Sequence, residues 1–126
     1  MGGTLGTAAR YLVGAALPAW NNVPLATLTV NVVGAFLLGA LLQSLASPSV
    51  DAEHGRRLRL FAGTGVLGGF TTYSALATET LTLLPDHPGT VVGYALATVV
   101  LGGVASAAGI TLARRPPTGR RPRAQE

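Results

Sequence analysis

Three long stretches of this chain contain no charged residue: residues 11–50, 60–78 and 88–113. A soluble domain of 126 residues keeps a large surface in water and cannot bury so many apolar side chains. A lipid bilayer can accept them, and a helix of about 20 apolar residues crosses its hydrocarbon core. Only 11% of the residues are charged, against about 25% in typical soluble domains. These stretches therefore predict an all-α integral membrane protein.

The apolar stretches divide into four predicted membrane-spanning helices, at about residues 4–17, 25–45, 58–84 and 91–113. The spans form one domain over residues 1–113, and the Arg- and Pro-rich residues 114–126 are predicted to be a disordered tail. The first span is short and contains Arg10. Because this charge lies within the apolar stretch and not before it, a secretory signal peptide is disfavoured.

The arginines are distributed unequally between the two ends of the predicted spans. Four spans place both termini and the middle loop on one side, and the arginines of that side are Arg56, Arg57, Arg59, Arg114, Arg115, Arg120, Arg121 and Arg123. The two opposite loops contain none. Because the loops of membrane proteins that are rich in lysine and arginine stay in the cytoplasm, we predict a multi-pass cell-membrane protein with both termini in the cytoplasm. The positions at span ends indicate topology and not a nucleic-acid partner.

The third span contains a glycine-rich segment, residues 63–74 (GTGVLGGFTTYS). Each glycine costs about 1 kcal/mol relative to alanine within a helix, so this segment predicts a break in the third helix at membrane depth. A break exposes backbone carbonyl and N–H groups, which broken helices of transport proteins use to hold ions. The alternative is that the glycines serve only for close helix packing.

Several polar side chains lie inside the predicted spans. Arg10 is either a functional charge or an arginine that snorkels to a nearby surface. Asn31, with Thr27 one turn earlier on the same face, either lines a pathway or makes an interhelical hydrogen bond. Tyr94 and Thr98 share one face of the fourth span. Each of these positions therefore has a functional and a purely structural interpretation.

The sequence has no arrangement typical of an enzyme. Of the five acidic residues only Glu79 lies within a predicted span, and there is no cysteine. No nucleophile–base set, phosphate-binding loop or metal-ligand spacing is present. We therefore predict no enzymatic activity.

Three motifs, in order along the chain, resemble those of the bacterial fluoride channel family, often called Fluc or CrcB. Residues 6–11 (GTAARY) are similar to its first-span element and residues 28–36 (LTVNVVGAF) to its second-span element. Residues 65–74 (GVLGGFTTYS) resemble its third-span signature, and Glu79 matches the acidic residue that follows. The resemblance covers nearly the whole chain and implies a channel subunit that exports fluoride from the cytoplasm.

The resemblance also implies an antiparallel dimer with two pores, embedded in membrane lipid. A structural sodium ion is implied at the centre of this dimer, held by backbone carbonyls where the third helices break. The matching positions here are Gly68 and Thr71.

The pore-lining residues of the family match several of the polar positions described above. Asn31 falls on the pore asparagine, and Tyr94 and Thr98 fall on the fourth-span tyrosine and the hydroxyl one turn later. Glu79 is assigned to the same pathway. Arg10 is expected to occupy a vestibule and attract anions at the cytoplasmic mouth.

Two positions depart from the family pattern. The two pore phenylalanines of the family fall on Tyr73 and Leu76. An aromatic ring edge is electropositive and can face an anion; Tyr73 keeps a ring but adds a hydroxyl, and Leu76 has no ring. A pore lined by this third helix is therefore expected to conduct poorly.

This departure keeps an alternative open, a non-conducting subunit that completes a heterodimeric fluoride channel. The arginine bias favours the same alternative, because a chain that inserts in one orientation needs a second chain to build an antiparallel dimer. A small four-span multidrug exporter is a further alternative. That mechanism requires a membrane-embedded carboxylate, whereas the first span here contains an arginine and no acid.

Overall fold

The computed structural model describes residues 1–20, 23–47 and 50–114. Within these ranges the chain is helical and has no strand, which confirms the all-α prediction. The predicted disordered tail lies outside the described residues except for Arg114. The helical elements are α1 Gly2–Ala16, α2 Leu25–Leu45, α3 Ala52–Leu58, a π-helical segment Arg59–Leu67, α4 Gly68–Phe70, α5 Tyr73–Leu83 and α6 Pro88–Ala113.

Local sequence explains where these helices begin and end. α1 ends before Pro18, which cannot continue a helix. Pro88 occupies the first turn of α6, where its missing N–H costs no hydrogen bond. The carboxylate of Asp51 caps α3 by accepting the backbone N–H of His54 at 2.9 Å. The observed boundaries lie within a few residues of the predicted ones, except that α3 extends the third segment toward the N-terminus.

The third segment is interrupted within its glycine-rich sequence, as predicted. The helix ends at Phe70, and Thr71 and Thr72 are extended, with ψ angles of 157° and 117°. α5 begins at Tyr73, where the hydroxyl of Thr72 caps it by accepting the backbone N–H of Ala75 at 3.1 Å. Nine residues before α4 are π-helical, which the sequence did not predict. π-Helical turns are rare and occur frequently at functional sites.

The helices of the bundle alternate in direction along the chain, from α1 to α2, the third segment and α6. At the start of α1, Gly2 lies against the backbone of Phe61, and one turn later Gly6 lies against Val66, so α1 runs alongside the third segment in the same direction. α2 and α6 run the opposite way, with Gly109 of α6 packed so closely on the carbonyl of Phe36 that a methyl group would collide. One end of the bundle therefore holds the N-terminus, α3 and the end of α6.

Two helices, α2 and α6, are long and apolar enough to cross a membrane. Only 22% and 11% of the residues in their most apolar windows are buried within the chain. A core helix of a soluble protein would be largely buried, so the exposed apolar faces indicate a membrane protein. α1 has 15 residues, and the third segment is divided by its break.

Candidate functional site

The break in the third segment is held by the side chain of Asn31 from the neighbouring helix α2. Its amide oxygen accepts the backbone N–H of Thr72 at 2.7 Å, and its amide nitrogen donates to the backbone carbonyl of Thr72 at 3.0 Å. Gly34, one turn later, lies against the Thr71 side chain where a methyl group would overlap it, so α2 approaches the break closely. Asn31 thus replaces the helical hydrogen bonds that the break removes.

A side-chain amide has two N–H donors, and the second donor of Asn31 has no acceptor among the described residues. Asn31 lines a cavity of about 270 Å³ beside the break. Tyr73, Leu76 and Thr98 line the same cavity. Four of the predicted pore residues therefore converge on one space, although they come from three different helices.

The two positions that depart from the family pattern differ in exposure within this cavity. The side chain of Leu76 is buried, whereas Tyr73 is 82% exposed at the first turn of α5. The cavity is therefore open on the side of Tyr73, and no described residue of this chain covers its aromatic ring.

Glu79 is held by hydroxyl groups from two other helices. The hydroxyl of Thr27 donates to one carboxylate oxygen at 2.7 Å, and the hydroxyl of Tyr94 donates to the other at 2.8 Å. Thr98 donates its own hydroxyl to the Tyr94 backbone carbonyl at 2.8 Å. The carboxylate therefore joins α2, α5 and α6, and the donor groups of this cluster are directed to protein acceptors in the described conformation.

A second cavity, of about 660 Å³, lies beside Thr72. It is lined by Arg10 from α1, by Thr27 from α2 and by Thr72, Thr78 and Glu79 from the third segment. Thr72 lines both cavities. The two cavities and the residues between them form a polar zone along the inner face of α2.

The structure places Arg10 well inside the bundle, and its expected role at the cytoplasmic mouth stays a prediction. α1 begins at Gly2, which lies beside Phe61 near the arginine-rich end of the bundle. Arg10 is eight residues later and therefore about 12 Å farther along the helix axis. Arg10 is partly buried and faces the cavity that contains Glu79, in the half of the bundle away from α3. The helix register decides this location, which the apolar pattern alone does not reveal.

The carbonyl groups of Gly68 and Thr71, the positions assigned to a sodium ion, have no hydrogen-bond donor in the part of the chain that the structure describes. The backbone N–H of Thr72, four residues after Gly68, is diverted to Asn31. Carbonyl oxygens are suitable ligands for a hard cation, so the residues present fit such an ion.

Thr27 and Thr72 were not among the pore-lining residues that the family resemblance predicted. Thr27 lies one turn before Asn31 on the same face, a signal that was visible in the sequence. Thr72 contributes through its backbone and through a hydroxyl that lies 3.2 Å from that of Ser74, and no sequence pattern identifies a backbone contact of this kind.

Comparison with known proteins identifies the family. A family model described as "CrcB-like protein, Camphor Resistance (CrcB)" matches residues 1–110. The chain belongs to the CrcB family. A CrcB relative from Leifsonia xyli subsp. xyli, "Fluoride-specific ion channel FluC 2", is 51% identical over 113 residues, which cover 89% of this chain and 78% of the relative. "Fluoride-specific ion channel FluC" from Gloeobacter violaceus is 45% identical, and the aligned residues cover 84% of this chain and 84% of the relative. The protein of the same name from Paracoccus denitrificans is 43% identical, and the aligned residues cover 90% of each chain.

Proposed function

We propose that this CrcB chain is a subunit of a fluoride-specific ion channel that lets fluoride leave the cytoplasm. Relatives at 41–51% identity are named fluoride-specific ion channels. The structural observation that carries the proposal is the polar zone on α2, where two cavities that share Thr72 are lined by hydroxyl groups and by the amide of Asn31. The family match leaves no support for the multidrug exporter alternative.

The chemistry of this zone suits a small anion. Fluoride is tightly hydrated, so a narrow path must replace its water with hydrogen-bond donors. The free N–H of Asn31 is one such donor, and the hydroxyls of Thr27, Tyr94 and Thr98 become donors to the ion if they turn from their present acceptors. Arg10 supplies positive charge in the larger cavity, which raises the local concentration of anions.

The proposed subunit crosses the cell membrane four times and has both termini in the cytoplasm. Arg56, Arg57, Arg59 and Arg114 all belong to the end of the bundle that holds the N-terminus, as the positive-inside rule requires. The loop that precedes α6, at the opposite end, contains Asp86 and no arginine. α1 is short for a full span, and the arginine within it is accommodated because it faces a cavity.

A second chain is proposed to complete the pore as an antiparallel partner. The exposed ring of Tyr73 and the open side of the smaller cavity support this assembly, since an ion on that side would otherwise meet lipid. A sodium ion at the centre of the assembly would be held by the carbonyls of Gly68 and Thr71 of both chains. This ion supplies positive charge and ties the two breaks together when it is bound.

The second candidate function is that of a non-conducting partner in a heterodimeric fluoride channel. Tyr73 and Leu76 replace the two phenylalanines of the family pore, and the arginine bias predicts a single membrane orientation. A homologous second subunit, inserted the opposite way, would then supply a complete pore.

Fluoride efflux from proteoliposomes tests both candidates. The purified chain is reconstituted alone and with a homologous second subunit from the same cell, and efflux of fluoride is compared with that of chloride. Fluoride efflux from the lone chain supports the conducting subunit, and efflux only in the mixed sample supports the heterodimer. Chloride efflux equal to fluoride efflux, or no fluoride efflux in either sample, contradicts the proposal.

A further inference from the structure

A small pocket lies at the arginine-rich end of the bundle, far from the polar zone on α2. It has a volume of about 230 Å³ and lies where the chain passes from α2 into α3. Its lining combines apolar and charged side chains, which include Leu45, Val50, Asp51, Ala52, Arg56 and Arg59. None of these residues lines either of the cavities described above.

The charges around this pocket are satisfied to different extents. Glu53 accepts hydrogen bonds from Arg56 at 3.2 and 3.3 Å and from Arg57 at 2.8 Å, and these contacts lower the pKa of its carboxyl below the usual value, so it stays ionised. Asp51 is engaged as the cap of α3. Arg59 makes no ion pair or hydrogen bond with any residue that the structure describes. Among the described residues, the pocket therefore has one guanidinium without a partner, and a second that uses only two of its five N–H donors.

Exposed apolar side chains continue from this pocket along the bundle. Leu58, Leu60 and Phe61 are 36%, 53% and 50% exposed. They follow the arginines directly in the chain, at the start of the long uncharged stretch of the third segment. In a membrane, this order places guanidinium groups at the level of lipid headgroups and apolar side chains at the level of the acyl chains.

We propose that this pocket binds the phosphate of an anionic phospholipid headgroup, with Arg59 and Arg56 as its ligands. Asp51, Arg56 and Arg59 together carry a net charge of +1, which complements a singly charged phosphodiester. A guanidinium donates two parallel hydrogen bonds to phosphate oxygens, and the exposed apolar side chains provide a surface for the acyl chains. The inference rests on the proposed membrane insertion of the chain but not on its conduction of fluoride.

Native mass spectrometry of the purified full-length chain tests this site. The chain in detergent is titrated with phosphatidylglycerol and, in parallel, with phosphatidylcholine. The buffer contains about 150 mM ammonium acetate, which screens interactions between exposed charges more than about 8 Å apart. The wild-type chain is expected to retain phosphatidylglycerol more tightly. Arg59→Gln and Arg56→Gln should each weaken that binding about tenfold, the loss expected for a hydrogen bond to a charged group.

Arg57→Gln is the matched control, because it removes the same charge from a residue that does not line the pocket and, like Arg56→Gln, removes a contact to Glu53. It should weaken the binding less than about twofold. Equal weakening by Arg57→Gln and Arg59→Gln, or no preference for phosphatidylglycerol over phosphatidylcholine, would overturn the proposal. Fluoride efflux of the same preparations is measured separately. Lost lipid preference with intact efflux counts against this site alone, and lost efflux with intact lipid preference counts against the channel function alone.

Discussion

The side-chain amide of Asn31 pairs with both backbone groups of Thr72, accepting from its N–H at 2.7 Å and donating to its carbonyl at 3.0 Å. The amide therefore takes the place of the backbone partners that Thr72 loses at the break in the helix. Asn31 has two roles in the proposed channel: it stabilises the break, and it presents its remaining N–H to the cavity that holds Leu76 and Thr98.

Asn31→Asp should abolish fluoride efflux. An ionised carboxylate can still accept the Thr72 N–H but cannot donate to the Thr72 carbonyl, and it places a negative charge in an anion pathway. We expect efflux from proteoliposomes to fall by at least about a hundredfold. Gln43→Glu makes the same amide-to-acid change on α2, at a position that lines neither of the two cavities of the polar zone, and should retain efflux. Normal efflux in Asn31→Asp would show that the residue serves only in packing.

Thr27→Val should loosen the cluster around Glu79. The substitution keeps the shape of the side chain but removes the hydroxyl that donates to Glu79 at 2.7 Å, which leaves a carboxylate oxygen without its donor. The expected loss of unfolding free energy is about 1–3 kcal/mol, measured as a lower thermal midpoint in detergent, together with reduced efflux. Thr29→Val changes the same residue type on the same helix, where no contact to Glu79 exists, and provides the control. Equal thermal midpoints for the two variants would contradict the assigned role of Thr27.

Two adjacent glycines at the break should respond differently to alanine. A Cβ at Gly69 would lie 2.5 Å from the carbonyl oxygen of Gly3, whereas a Cβ at Gly68 would meet only the carbonyl oxygen of Gly63 at 3.8 Å. Gly69→Ala should therefore push α1 from the third segment and cost about 1–3 kcal/mol, while Gly68→Ala leaves the fold of the single chain intact. Thermal unfolding of both variants measures the difference, and a Gly69→Ala chain as stable as Gly68→Ala would refute the close contact with α1.

Removal of sodium should weaken the proposed assembly of two chains. The carbonyl groups of Gly68 and Thr71 accept no hydrogen bond from the described residues, so they are available to a cation in the proposed assembly. A bound ion at one hundred times its dissociation constant stabilises by about 2.7 kcal/mol. Replacing sodium with N-methyl-D-glucamine at constant ionic strength should shift the protein toward single chains, as measured by light scattering. An unchanged molar mass would argue against a sodium ion that joins the chains.

The arginine bias predicts one membrane orientation. The chain contains no cysteine, so single substitutions Asp86→Cys and Glu126→Cys can be labelled selectively with a membrane-impermeant maleimide. In intact cells Asp86→Cys should react, whereas Glu126→Cys should react only after lysis, because arginine-rich segments stay in the cytoplasm. Partial labelling of both variants from outside would indicate two orientations and would remove the need for a second kind of subunit.

Several features followed from local sequence. The apolar stretches predicted helices that agree closely with α2 and α6, and prolines explain the end of α1 and the start of α6. The glycine-rich segment predicted the interruption between Phe70 and Tyr73. These features depend on residue type and on neighbours in the chain, so they can be predicted without knowledge of packing. The π-helical form of Arg59–Leu67 could not, because α- and π-helices accept the same residues and differ in hydrogen-bond register.

The sequence by itself determined that this protein is an apolar helical chain with one broken helix, and that most of its charged residues lie outside the apolar stretches. It also marked Asn31, Glu79, Tyr94 and Thr98 as polar residues inside the apolar stretches. Only the tertiary structure decided that Asn31 pairs with the backbone of Thr72, that Thr27 and Tyr94 both hold Glu79, and that Arg10 faces the cavity away from α3. The reason is physical: helix formation and membrane preference are sums over neighbouring residues, whereas these contacts join positions up to 52 residues apart and depend on the axial register of helices packed through glycine.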